Sequence, residues 1–122
     1  MNNRAKDLGK WGEMVASEYL AKAGYQLVDR NVRTEYGEID LIVEREGALV
    51  FVEVKTRQSR TYGYPEEAIT RPKIDHMIAS AEAYLQTVPD FTGDWRIDVV
   101  AVEINALDNL PVITHFPDAV SE

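Results

Sequence analysis

The chain has 122 residues, with 21 acidic against 13 basic side chains and a formal net charge of -8. That length supports a single buried core, and 45% hydrophobic residues with two Trp, six Tyr and three Phe exclude a disordered chain. Cysteine is absent, which excludes disulfide scaffolds, thiolate zinc sites and cysteine nucleophiles. Taken alone, the negative charge also argues against a nucleic-acid partner, because phosphate binding needs concentrated positive potential.

The first predicted element is a helix from about Arg4 to Ala23, where Leu8, Trp11, Val15, Ala16, Tyr19, Leu20 and Ala23 fall on one face and Gly24 supplies the stop. Its charged residues leave no apolar stretch, so neither a signal peptide nor a membrane-spanning helix is expected, and the expected location is cytoplasmic. Tyr25 to Arg33 has strand character. Two apolar, β-branched runs between Glu38 and Arg57 then flank Glu46-Gly47, which predicts a hairpin of strands covered on both faces.

A polar loop over 59–65 and a short helical turn over 66–69 follow. Thr70 is the expected N-cap of a second helix carrying Ile74, Met77, Ile78, Ala81 and Leu85 on one stripe. After a Pro- and Gly-containing loop, Trp95 to Ile104 reads as a strand, and Leu110 to Phe116 as a last edge strand demoted by Pro111. The order predicts one α/β domain over 1–122, with a core at about 4–104 and an acidic C-terminal extension at 105–122. Residues 87–122 hold seven acids against one base, so the acidic excess is expected away from any anion-binding site.

If Glu46 and Gly47 are the two loop residues, Arg45 faces Ala48 and Asp40 faces Glu53. Opposed side chains on one face have Cβ atoms about 4.5–5.5 Å apart, close enough for two carboxylates to share a divalent cation. Lys55, two positions beyond Glu53, points to the same face. Paired carboxylates repel, and a hard cation such as Mg²⁺ or Mn²⁺ offsets this while retaining water for chemistry. An adjacent lysine amine suits a metal-assisted phosphodiester hydrolysis. The competing account of such residues is an ordinary solvated strand end. Glu13 flanks the apolar stripe of the first helix, about 100° round from Gly12, and reads by position as a half-exposed surface acid.

The segments GKWGEMVASEYL (9–20), GEIDLI (37–42), FVEVKTR (51–57) and RIDVV (96–100) resemble the small bacterial YraN family. These uncharacterised, predicted endonucleases are a branch of the PD-(D/E)xK nuclease superfamily similar to archaeal Holliday junction resolvases. The resemblance covers the chain to about Ile104. It implies a restriction-endonuclease-like αβββαβ core, with a mixed four- to five-stranded sheet flanked by helices, and Mg²⁺ or Mn²⁺ as cofactor. By motif it implies Glu13 as the helix-borne acid, Asp40 as the strand aspartate, and Glu53 and Lys55 as the Glu-x-Lys pair. Glu13, Asp40 and Glu53 would be the metal ligands. Ile39-Asp40 replaces the superfamily's Pro-Asp dipeptide.

Arg57, Lys73, Arg33 and Asn31 are the candidate nucleic-acid contacts, with Arg60 and Arg71 weaker ones and Tyr62 and Tyr64 available to stack on opened bases. Asp98 is read as structural, paired with Arg33 or Arg57. Neither His76 nor His115 has a second histidine at ligand spacing, and Trp11 and Trp95 read as core. The resulting expectation is a metal-dependent endonuclease acting on branched or non-duplex DNA, with no membrane partner and with a homodimer permitted by the need for two symmetric cuts. A non-catalytic nucleic-acid-binding module and an acidic protein-interaction domain are the alternatives.

Overall fold

The computed structural model describes residues 4–58 and 70–120. The elements follow the order α1 (Arg4–Lys22), β1 (Gln26–Thr34), β2 (Gly37–Arg45), β3 (Ala48–Arg57), α2 (Arg71–Leu85), β4 (Trp95–Ile104) and β5 (Pro111–Phe116). The five strands form one sheet in the order β1-β2-β3-β4-β5, with β3 and β4 parallel and the other neighbours antiparallel. This is a mixed α/β fold, consistent with a restriction-endonuclease-like core extended by a fifth strand. The expected loop over 59–65, the turn over 66–69, and Arg60, Tyr62 and Tyr64 lie outside the described residues.

Local chemistry sets the element boundaries. Gly24 adopts φ +96°, its N–H donates to Ala21 O at 3.1 Å, and the Tyr25 N–H donates to Leu20 O at 2.9 Å, the two bonds of a Schellman closure. Glu46 and Gly47 take φ of +53° and +83°, as the two central residues of a type I′ turn do. The hairpin therefore has its two-residue loop, with Arg45 opposite Ala48 and Leu41 opposite Val52. Thr70 caps α2 by accepting from the Lys73 N–H at 3.4 Å, with Pro72 in the first turn.

Each helix covers one face of the sheet. Ala16 and Leu20 of α1 close over Leu41, Val43, Val50, Val52, Val100 and Val102, while Ala81 of α2 closes over Ile42, Phe51 and Ile97. Fully burying a residue such as Leu20 contributes about 1.5–3 kcal/mol, so the two apolar layers clamp the central strands from both sides. The chain beyond 104 is woven into this unit: β5 pairs with β4, the Ala119 N–H donates to Ile97 O at 2.9 Å, and Val120 joins the core under α2.

Two sequence expectations are corrected. Asp98, fully buried, pairs with neither Arg33 nor Arg57; it accepts from Arg96 Nε at 2.9 Å, from the Asp118 N–H at 2.8 Å, and meets His115 Nε2 at 2.8 Å. Arg96 and Asp98 share a face by strand alternation, and β5 delivers the histidine, which also meets the Tyr19 hydroxyl. Trp95 is 37% exposed and sits at the start of β4, edge-on to Phe51, instead of inside the core. The late acids are dispersed: Asp98 and Glu103 lie within β4, and Glu103 stands in register with Arg57.

Candidate active site

The site is built on a break in strand alternation. Leu41 and Val43 of β2 pack under α1 and Ile42 packs under α2, so Ile39 belongs under α1 by its odd number, yet it packs under α2. The phase slips at Asp40. On β1 the facing residue, Asn31, adopts φ +49°, and the pairing steps from Arg30↔Leu41 to Val32↔Ile39 without including Asn31 or Asp40. On the other side, the ladder to β3 ends at Leu41↔Val52. Asp40 thus drops out of both ladders, and its Oδ2 accepts from the Val54 N–H of β3 at 2.8 Å.

β3 keeps its phase. Val50, Val52 and Val54 face α1, which sends Glu53 and Lys55 to the α2 side. Glu53 is 9% exposed, stands beside the half-buried Asp40 closely enough for its charge to raise that carboxyl, and takes Lys55 Nζ at 3.7 Å. The floor beside it is apolar, since Ile39, Phe51, Met77 and Ile97 line a small cavity that Glu53 also touches. Burial, and next the charge of Glu53, push the Asp40 carboxyl up to about 7; the nearby Glu13 adds to this, and the Val54 hydrogen bond works the other way.

Glu13 arrives from the opposite side of the sheet. Gly12 makes this possible, because a Cβ at that position would overlap Oγ1, Cγ2 and Cβ of Thr56, so the helix lies directly on β3 there. The Glu13 carboxylate accepts from Asn31 Nδ2 at 3.0 Å, and the same amide donates to Glu38 Oε1 at 3.2 Å. The left-handed turn of β1 at Asn31 is therefore what hands the amide to Glu13.

The structure brings together Asp40, Glu53 and Lys55, with Glu13 close enough to perturb Asp40. The remaining candidates divide. Lys73 of α2 lies within the cluster, its Nζ 2.7 Å from Glu53 Oε1. Asn31 is engaged with Glu13 and Glu38, and Arg33, with a side chain 89% exposed, stands 3.8 Å from Glu38. Arg57 is half-buried at the end of β3. The close approach at Gly12, the Val54 N–H and the role of Asn31 are not apparent from sequence reasoning. A glycine inside a helix, where it costs about 1 kcal/mol, is the available signal for the first.

The juxtaposed carboxyls of Asp40 and Glu53 present the oxygen donors that a hard divalent cation would take, and Asp40, held up to about 7 by burial and the charge of Glu53, is the one that a cation would help to ionise. Asp40 and Glu53 are the two donors in contact; among the described residues no three Asp, Glu or His side chains already stand in a ligand arrangement.

Fold and site together define an α/β protein with an acid–acid–lysine cluster where two central strands part. The chain belongs to the Uncharacterised protein family UPF0102, the YraN family of its motifs, whose match spans residues 12–102 and so includes Glu13, Asp40, Glu53, Lys55 and Lys73. A UPF0102 protein of Syntrophomonas wolfei is 43% identical over 114 residues, covering 93% of this chain and 97% of that protein. One of Roseiflexus castenholzii is 42% identical over 124 residues, covering 100% and 99%. Among solved structures, Pyrococcus furiosus SfsA in complex with Ca²⁺ aligns with 97% of this chain and 65% of its own, at 12% identity and a TM-score of 0.38, a similarity too low to bear on activity. No helix among the described residues is long and apolar enough to cross a membrane.

Proposed function

We propose that this protein is a Mg²⁺- or Mn²⁺-dependent endonuclease that hydrolyses DNA phosphodiester bonds at branched, flapped or otherwise non-duplex structures. The observation that carries this reading is the juxtaposition of the Asp40 and Glu53 carboxyls with Lys55 beside them, at the point where β2 and β3 separate. Asp40 and Glu53 would hold the ion, with Glu13 the third acid of the set. When bound, the ion would supply an activated water and neutralise charge on the phosphate.

The residues of the chain supply the rest. The Val54 N–H fixes the orientation of Asp40. Lys55 would orient the attacking water and offset charge developing on the phosphate oxygens. Lys73, paired with Glu53, and Arg57, Arg33 and Asn31 would take neighbouring phosphates. The acidic excess elsewhere does not oppose this, since the cluster itself carries Lys55 and Lys73. On this reading the protein works on DNA in the cytoplasm, and a symmetric junction would need two copies.

The test is a panel of labelled single-stranded, duplex, flap and four-way-junction DNAs incubated with the protein and Mn²⁺. Cleavage of at least one class, lost in Glu53→Gln and in Lys55→Ala, is the expected result. No cleavage of any class, or full activity in both variants, would overturn the reading.

A further inference from the structure

Lys73 makes the shortest ion pair in the cluster, 2.7 Å to the same Glu53 oxygen that Lys55 approaches at 3.7 Å. Its place on α2 is unfavourable for the helix itself. Thr70 is the N-cap, so Arg71, Pro72 and Lys73 occupy the first turn, which contains no acid. The positive end of the helix dipole disfavours cations there. Arg71 is relieved by Asp75 one turn on, at 3.3 Å. Lys73 instead reaches across to a carboxylate 90% buried at its side chain, while its own side chain remains 40% exposed. A long, half-exposed ammonium on a buried acid can leave it at little cost in packing.

Above the pH of about 7 at which Asp40 ionises, Asp40 and Glu53 balance Lys55 and Lys73, so these four groups are neutral before any divalent cation arrives. Adding one leaves these four at plus two, and at plus one with the Glu13 carboxylate counted. We infer that Lys73 is the exchangeable counter-ion of Glu53: it neutralises the acid in the metal-free protein, yields Glu53 to the divalent cation, and is thereby released to a backbone phosphate. Phosphate affinity is then switched on by metal loading, which gives an acidic protein an anion site only when it is competent to cut. This rests on the metal-dependent reading of the site proposed above.

The experiment is Mn²⁺ titration of the full chain at pH 8.5, following free Mn²⁺ by electron paramagnetic resonance. Removing a competing cation in Lys73→Met is expected to tighten Mn²⁺ binding by about tenfold, whereas Lys22→Met, which removes a lysine at the far end of α1, leaves the affinity unchanged. In the unmodified protein, the Lys73 Nζ resonance in ¹⁵N-lysine spectra shifts on adding Mg²⁺, a readout that survives even if Lys73→Met does not fold. Unchanged or weaker Mn²⁺ binding in folded Lys73→Met, or a Lys73 signal indifferent to Mg²⁺ that binds, overturns the exchange. If the unmodified protein binds no Mn²⁺, or Glu53→Gln binds it equally, the metal-site reading itself fails.

Discussion

Asp40 Oδ2 accepts the Val54 N–H at 2.8 Å, so a side chain occupies the place where a ladder hydrogen bond between β2 and β3 would stand. This fixes the carboxylate next to Glu53 without a tight turn or a loop to hold it. It also keeps an acid in surroundings that favour its protonated form.

The burial of Asp40 beside Glu53 predicts a pH dependence of stability. Asp40 titrates at about 7 in the folded chain against 3.8 for a hydrated aspartate free of partners, so between these values the folded chain binds the proton more tightly than the unfolded one. Its favourable contribution is complete below the unfolded value and is lost as the pH rises through 7. Asp40→Asn, which keeps the acceptor for Val54, is expected to melt above the unmodified protein at pH 8.5 and close to it at pH 5, both measured in EDTA.

Divalent cations are expected to reverse this cost. At pH 8, Mn²⁺ at about a hundred times its Kd should stabilise the unmodified protein by about 2.7 kcal/mol and leave Asp40→Asn and Glu53→Gln almost unmoved. Thermal melts with and without Mn²⁺ check this, and an equal shift in all three proteins would place the ion elsewhere.

Gly9 and Gly12 lie in the same helix and predict opposite outcomes. Gly9 has nothing within 4 Å of an added Cβ, so Gly9→Ala should be neutral or stabilising by up to about 1 kcal/mol. Gly12→Ala must push α1 off Thr56 and should cost about 1–3 kcal/mol, carrying Glu13 away from the site. Urea unfolding of the two variants separates helix propensity from close packing.

Asp98 anchors the opposite edge of the sheet. Asp98→Ala leaves Arg96 and His115 without their carboxylate and should cost about 3–5 kcal/mol in urea unfolding. Mn²⁺ affinity of the folded variant should stay unchanged, since this network is separate from the acidic pair.

The hairpin is legible in the sequence because Glu46-Gly47 dictates both the turn and the register, and that register, carried one step beyond the last pair Leu41↔Val52, points Asp40 toward Glu53. The phase slip is not, since GEIDLIV reads as continuous apolar alternation and nothing local marks Asp40 as leaving the ladder. Lys73 reads only as a phosphate contact, because a helix-borne lysine has no visible partner until α2 is laid on the sheet. For Asp98, Arg96 two residues away on the same face is the available clue, but His115 depends on β5, a strand whose opening Pro111 weakens its signal.

The irregularities of β1 reach beyond the acids they position. As an outer strand, β1 presents backbone donors and acceptors that another chain could extend, yet its pairing shifts between Leu27 and Asp29 and it turns left-handed at Asn31. With Asp29, Arg30 and Arg33 exposed along it, the strand cannot offer a long flat template for cross-chain pairing. Straightening it, as Asn31→Val would, removes the amide from Glu13 and at the same stroke exposes a smoother edge to aggregation.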